Sequence, residues 1–174
     1  MTRKPFAARR PGDRVDDVIA AWRRERPEVD VSSIAVLTRA LLIGRYLQKA
    51  RDRALRELGT DTPTLEVLAT LRRCGAPYRL RTSEIEAATS VTAGAISQRL
   101  DRLEAEGLVR RTRDEVDKRV IHVSLTNKGR RLIDGVVAGL MLREERLLAP
   151  FDERERRVLE RLLTRWLRWF EEGE

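Results

Sequence analysis

In the stretch AISQRLDRLEAEGLVRR, Ser97 and Gln98 are side chains of the kind that read the edges of bases. A glutamine amide can pair with the donor–acceptor edge of adenine, and a serine hydroxyl can bond bases or phosphates. Ahead of them stand Thr92, Ala93 and Gly94, small residues that let a backbone come close to a duplex. Behind them follow Arg102, Arg110, Arg111, Arg113, Lys118 and Arg119, cations suited to phosphate oxygens. Arg99 is placed differently. It borders the stripe Ile96, Leu100 and Leu103, whose spacing is that of one helix face packed inward. A partly buried guanidinium needs a counter-charge there. Otherwise it must reach past the stripe to water or phosphate.

Other chemistry is poorly supported. His122 alternates within a strand-like run and has no evident cysteine or acidic partner at metal-ligand spacing, so no metal is expected. Asp16 and Asp17 are adjacent on a helix and point apart, which does not suit paired acid–base work. No phosphate-cradling glycine loop or nucleophile triad occurs, so neither an enzyme nor a cofactor is expected. Cys74 is the single cysteine. An internal disulfide is therefore excluded, and a reducing, cytoplasmic setting is expected. One thiol with no visible activator reads as structural, with a redox switch as the alternative.

The elements that must position these groups follow from the pattern. Of 174 residues, 37% are charged and 5% aromatic, a profile that suits a helix-rich domain better than a β-sandwich. The formal net charge of +8 favours a polyanionic partner, nucleic acid first. No apolar run approaches membrane-span length, so no membrane partner is expected. The opening MTRKPFAARRPG is basic without a signal-peptide core and reads as a disordered arm over 1–12. Asp13 caps a helix with Val15, Val18, Ile19 and Trp22 on one face, ending near Pro27. Ser32 or Ser33 opens a long helix to Leu58, stopped by Gly59. TDTP reads as a loop, and a short helix follows from about Thr64 to Arg73.

Ser83 and Glu86 have capping-box spacing for a helix to about Thr89. SVT is a tight turn, and Thr92 caps a helix to about Glu106, with Gly107 beyond. LVRRTR and RVIHVSLT, separated by DEVDK, read as a β-hairpin. Thr126 caps a long helix ended by Pro150, and Asp152 with Glu155 caps a last one through Leu159, Leu162, Leu163, Trp166 and Phe170. Helix, tight turn, helix and hairpin is the order of a winged helix-turn-helix, in which the second helix enters a major groove. The fold class is mainly α with a small β-hairpin wing. The expected division is 13–60 for the N-terminal helices, 61–126 for the winged helix-turn-helix and 127–174 for the C-terminal helices.

The stretch VTAGAISQRLDRLEAEGLVRRTRDEVDKRVIHVSLTNKG resembles the MarR family of transcriptional regulators. It carries the recognition helix, an LE-x-x-GLV-x-R junction, a D-x-x-D-[KR]-R wing tip and a closing V-x-LT-x-x-G. The resemblance covers about residues 32–171. It implies a homodimer whose base is built from the N- and C-terminal helices. The extension DRVDDVIAAWRRERPEVD further resembles the urate-responsive, PecS-like branch. That branch holds an anionic ligand with a tryptophan, an aspartate and two arginines, which correspond here to Trp22, Glu66, Arg99 and Arg111. Glu66 stands where the branch has aspartate. Glu66, the ligand, or both then supply the counter-charge that Arg99 needs.

The implied function is a homodimeric repressor on a pseudo-palindromic duplex operator, released by a small anionic aromatic ligand such as urate. DNA contacts fall to Thr92, Ala93, Gly94, Ser97, Gln98, Arg102, Arg113, Lys118 and Arg119. Two alternatives use the same residues. One is a regulator answering another phenolic compound, oxidation or no effector. The other is a helical protein-interaction module with an incidental basic stripe.

Overall fold

The computed structural model describes residues 12–89 and 93–173. The arm expected at 1–12 (but for Gly12) and the Thr92 cap lie outside them. In chain order the elements are α1 (Arg14–Glu25), α2 (Ile34–Glu57), α3 (Thr62–Arg73), β1 (Arg79–Arg81), α4 (Thr82–Ala88) and α5 (Ala93–Ala105). They continue with β2 (Val109–Arg113), β3 (Ile121–Leu125), α6 (Asn127–Leu147) and α7 (Glu153–Glu171). The chain divides into two units, 1–50 and 51–174, with the boundary inside α2.

In the first unit Asp13 caps α1 as its sequence predicts. Its carboxylate accepts the Val15 N–H at 2.8 Å, and Asp16 returns to the Asp13 N–H at 2.9 Å. The same two carboxylates hold Arg39 of α2, at 2.8 and 2.6 Å. Val15, Ile19 and Val31 form a small buried cluster with Ile34, Ala35 and Leu42 against it. Ser33 stands directly before α2, as expected, its carbonyl accepting the Leu37 N–H at 2.9 Å. Asp30 accepts both the Ser32 N–H and its hydroxyl, at 2.9 and 3.0 Å, and α2 starts at Ile34.

The second unit is built on one core. Leu55, Leu68, Leu71, Ile85, Ile96, Leu100, Leu103, Val123, Ile133 and Leu140 are almost fully buried in it. Each such side chain contributes roughly 1.5–3 kcal/mol on burial. Three of them, Ile96, Leu100 and Leu103, seat α5 and turn Gly94, Ser97, Gln98 and Arg102 to the outside.

The wing is more than a hairpin. It is a three-stranded antiparallel sheet ordered β1-β3-β2, with Leu80 opposite Val123 and Arg111 opposite Val123 on the other side. A three-residue strand is too short to show alternation, so β1 has no sequence signature. Two caps also differ from the expected ones. Asp61 caps α3, accepting the Thr64 N–H at 2.8 Å, so TDTP is the helix start and not a loop. For α4 the returning carboxylate is Glu84 on the Arg81 N–H at 2.6 Å, two residues earlier than the Ser83–Glu86 pattern.

The LT-x-x-G signature has a steric reason. Thr126 caps α6 by accepting the Gly129 N–H at 3.0 Å, and its hydroxyl donates to the Gly107 carbonyl at 2.7 Å. A Cβ on Gly129 would sit 2.1 Å from the Leu108 carbonyl oxygen. Only glycine lets α6 abut the start of β2.

Candidate nucleic-acid interface

The outer face of α5 carries Gly94, Ser97, Gln98, Asp101 and Arg102, all exposed. Ala93 opens the helix. Arg102 is paired with Glu106 at 2.8 Å, one turn along the same helix. Beside α5 the wing projects a tip that its own acids shape. Asp114 accepts the N–H groups of Val116 and Asp117, at 2.9 and 3.1 Å, and meets His122 Nε2 at 2.9 Å. Asp117 accepts the Arg119 N–H at 3.0 Å. The His122 hydrogen bond, then those two N–H groups, hold the Asp114 carboxyl down at about 2. Sequence spacing missed this partner of His122, because β2 and β3 bring residues eight apart together only after pairing.

Asp114 and Asp117 are thus occupied by backbone and His122, while Glu115 of the tip is exposed. Among the described residues, Arg110, Arg113, Lys118 and Arg119 are exposed and have no side-chain partner. A row of uncompensated cations next to a helix with a free amide and hydroxyl can bind a duplex through phosphate and base edges.

Behind α5, Arg99 does find a counter-charge, but from a different acid than the resemblance implies. Its guanidinium donates to both carboxylate oxygens of Asp61, at 3.0 and 3.3 Å, and to the Thr64 hydroxyl at 3.2 Å. The Arg99 side chain is 20% exposed, so it does not escape to solvent. Burial pushes the Asp61 carboxyl up, but the Thr64 hydroxyl, its N–H and Arg99 outweigh that and hold it below its ordinary value. The α3 cap is therefore also the latch of the recognition helix. The spacing D-x-x-T at 61–64 carried this signal.

Glu66 is elsewhere. It lines a cavity of about 640 Å³ between α3 and α6, with an apolar floor of Leu65, Ile133 and Leu140 and with Arg73 at its edge. Neither Arg99 nor Arg111 lines that cavity. Arg111 pairs with Glu104 at 2.7 Å and Asp101 at 2.6 Å, and its N–H donates to Glu104 at 2.8 Å. Those acids lie on roughly the opposite side of α5 from Arg99, given about 100° per residue. Trp22 belongs to the first unit, where it is 48% exposed. Within the second unit, then, the three charged residues assigned to a ligand sit in three separate settings.

Comparison with known proteins agrees with this architecture. The transcriptional regulator PecS of Dickeya dadantii is 36% identical over 151 residues, covering 87% of this chain and 91% of PecS. The chain belongs to the MarR family. The model of that family matches residues 58–120, which include α3, β1, α4, α5 and most of the wing. The MarR-family repressor MdtR of Bacillus subtilis is 32% identical over 125 residues, covering 72% of this chain and 77% of MdtR. A single-site mutant of E. coli MarR, solved with operator DNA, shares the fold with a TM-score of 0.64 at 24% identity, over 80% of this chain and 99% of its own. This MarR-family chain is a DNA-binding transcriptional regulator and not an enzyme. No helix among the described residues is long and apolar enough to cross a membrane.

Proposed function

We propose that this MarR-family protein is a homodimeric repressor that reads a pseudo-palindromic operator with α5 and is released by a small aromatic anion of urate's kind. The observation that carries the DNA contact is the outward face of α5. Gly94, Ser97 and Gln98 are free there, because Ile96, Leu100 and Leu103 bury the opposite face. Thr92 and Ala93, just ahead of them in the chain, join the approach to the duplex. Arg102, Arg113, Lys118 and Arg119 take phosphates. A second copy covers the apolar side of α7, where no residue is buried and Leu162, Leu163, Leu167 and Phe170 are exposed. In the first unit, the exposed Leu37 and Leu41 of α2 offer such a copy a further apolar surface. Related by a two-fold axis, two α5 helices then meet half-sites about one helical turn apart.

Release works through Arg99. An anion that competes with Asp61 for the guanidinium unlatches α5 from the α3 cap. A ligand with differential affinity for the two positions of α5 shifts the equilibrium by a coupling of about 1–3 kcal/mol, roughly 5- to 150-fold in DNA affinity. The PecS-like resemblance assigns Trp22, Glu66 and Arg111 to the ligand as well, but within the second unit Glu66 and Arg111 lie apart from Arg99, so the switch proposed here rests on Arg99. The test is a DNA-binding titration with and without urate and a panel of related purines and phenolic acids. Arg99→Ala, which lacks the latch, should bind DNA more weakly than wild type and no longer respond to the ligand. Unchanged ligand sensitivity in Arg99→Ala refutes the switch.

A second reading is favoured by the cavity at Glu66. Its volume of about 640 Å³ lies within the roughly 300–1,000 Å³ common to small-molecule sites. Among the described residues, the Arg73 guanidinium bonds only the Thr70 hydroxyl, at 3.3 Å, and is available to an anion. If Arg73→Ala abolishes the response and Arg99→Ala keeps it, the effector sits in this cavity.

A further inference from the structure

A second, smaller concavity lies where β1 and α4 meet the end of the wing. Arg81, Thr82, Ser83, Arg119, Val120 and Ile121 line it. Arg81 and Arg119 reach it from different parts of the chain, β1 and the loop before β3. The acids beside them are already engaged. Glu84 accepts the Arg81 N–H at 2.6 Å, and Asp117 accepts the Arg119 N–H at 3.0 Å. The Thr82 hydroxyl donates to the Ile121 carbonyl at 3.3 Å. Among the described residues, neither guanidinium has a side-chain partner, and Ser83 is exposed with its hydroxyl unengaged. Two uncompensated guanidiniums and a free hydroxyl around one concavity are the donor set for a phosphate oxygen pair. β1 pairs with β3 in register, Arg81 opposite His122, so the Arg81 backbone is fixed relative to the wing.

We propose that Arg81, Ser83 and Arg119 form a phosphodiester-binding site, a clamp on one backbone phosphate of the duplex that sets how the wing lies on it. The site reads no base. It positions, as phosphate contacts do, and binds duplexes of any sequence. Arg119 alone, on a loop, holds a phosphate loosely. Arg81, on a paired strand, gives the clamp a rigid jaw. This rests on the DNA surface proposed above, which places the wing against duplex.

The test measures binding to a 30-base-pair duplex of mixed sequence as a function of potassium chloride concentration. Wild-type protein is compared with Arg81→Gln, Arg81→Lys, Arg119→Gln and the double variant Arg81→Gln/Arg119→Gln. Thermal unfolding of each variant confirms that it is folded. Arg81→Gln should lower the slope of log K against log salt by about 0.9 per bound protomer, and Arg81→Lys should restore most of it. The double variant should lose less than the product of the two single losses, because both side chains hold one phosphate. A wild-type slope in Arg81→Gln, or single losses that multiply, overturns the clamp. A Gln98→Ala/Arg113→Ala/Lys118→Ala variant separates the two proposals. If it loses binding while Arg81→Gln keeps the wild-type slope, the clamp alone falls. If it too binds as wild type, the DNA surface itself falls.

Discussion

Asp61 holds two things at once, and the two can be separated by substitution. Its carboxylate caps α3 through the Thr64 N–H at 2.8 Å and latches α5 through Arg99 at 3.0 Å. Asparagine keeps an oxygen for the cap and removes the charge; alanine removes both. Loss of an aspartate N-cap costs about 1 kcal/mol. The ion pair is half open to water, with side-chain exposures of 44% for Asp61 and 20% for Arg99, so solvent screening leaves it about 0.5–1 kcal/mol. Asp61→Asn should therefore lose about 0.5–1 kcal/mol and Asp61→Ala about 2 kcal/mol. With a urea slope of about 2 kcal/mol/M, the midpoints fall by roughly 0.3–0.5 M and 1 M. The unfolding is measured at one fixed protein concentration, because a dimer gains stability from mass action.

The pH dependence of that gap follows from the same geometry. The folded carboxyl lies below its ordinary 3.8, so its contribution is fully present above that value and is lost as pH falls through the folded one. The gap between wild type and Asp61→Asn should narrow on acidification from pH 5 to pH 3. An asparagine variant as damaged as the alanine one, or a gap that widens on acidification, refutes this account of the latch.

Gly129→Ala should lose about 3 kcal/mol or fail to fold, because the obstruction at 2.1 Å is a backbone carbonyl and cannot swing aside. Gly135→Ala, in the same helix with nothing within 4 Å, should be neutral or gain about 0.5–1 kcal/mol, and urea unfolding of the two side by side decides it. In the wing, carboxyl carbon NMR should find Asp114 still ionised at pH 3, and His122→Ala should move its titration upward from about 2. Because that folded value is depressed, the contribution of Asp114 to wing order is present above the ordinary 3.8 and is lost as pH falls through about 2. An unchanged titration in His122→Ala would show that the Val116 and Asp117 N–H groups alone hold the carboxylate.

What was legible in the sequence was whatever local chemistry decides. The Asp13 and Thr126 caps and the Asp152–Glu155 box close within three residues, and each helix begins where they place it. The stripe of Ile96, Leu100 and Leu103 announced which way α5 faces, and hence which residues are free to meet a duplex. Partnerships across the fold were not legible in this way. His122 and Asp114 meet only when β2 and β3 pair, and β1 exists because β3 offers it an edge. Arg99 marks the limit most clearly. Periodicity demanded a counter-charge but could not say whose, and Asp61 caps the same short helix that carries Glu66. The choice is made by where on α3 the α5 helix docks. That docking is set by the buried leucines, so the acid at the helix cap and not the one a turn later meets the guanidinium. A ligand switch built on Arg99 must therefore compete with a helix cap, and its strength is bounded by how tightly Asp61 already holds.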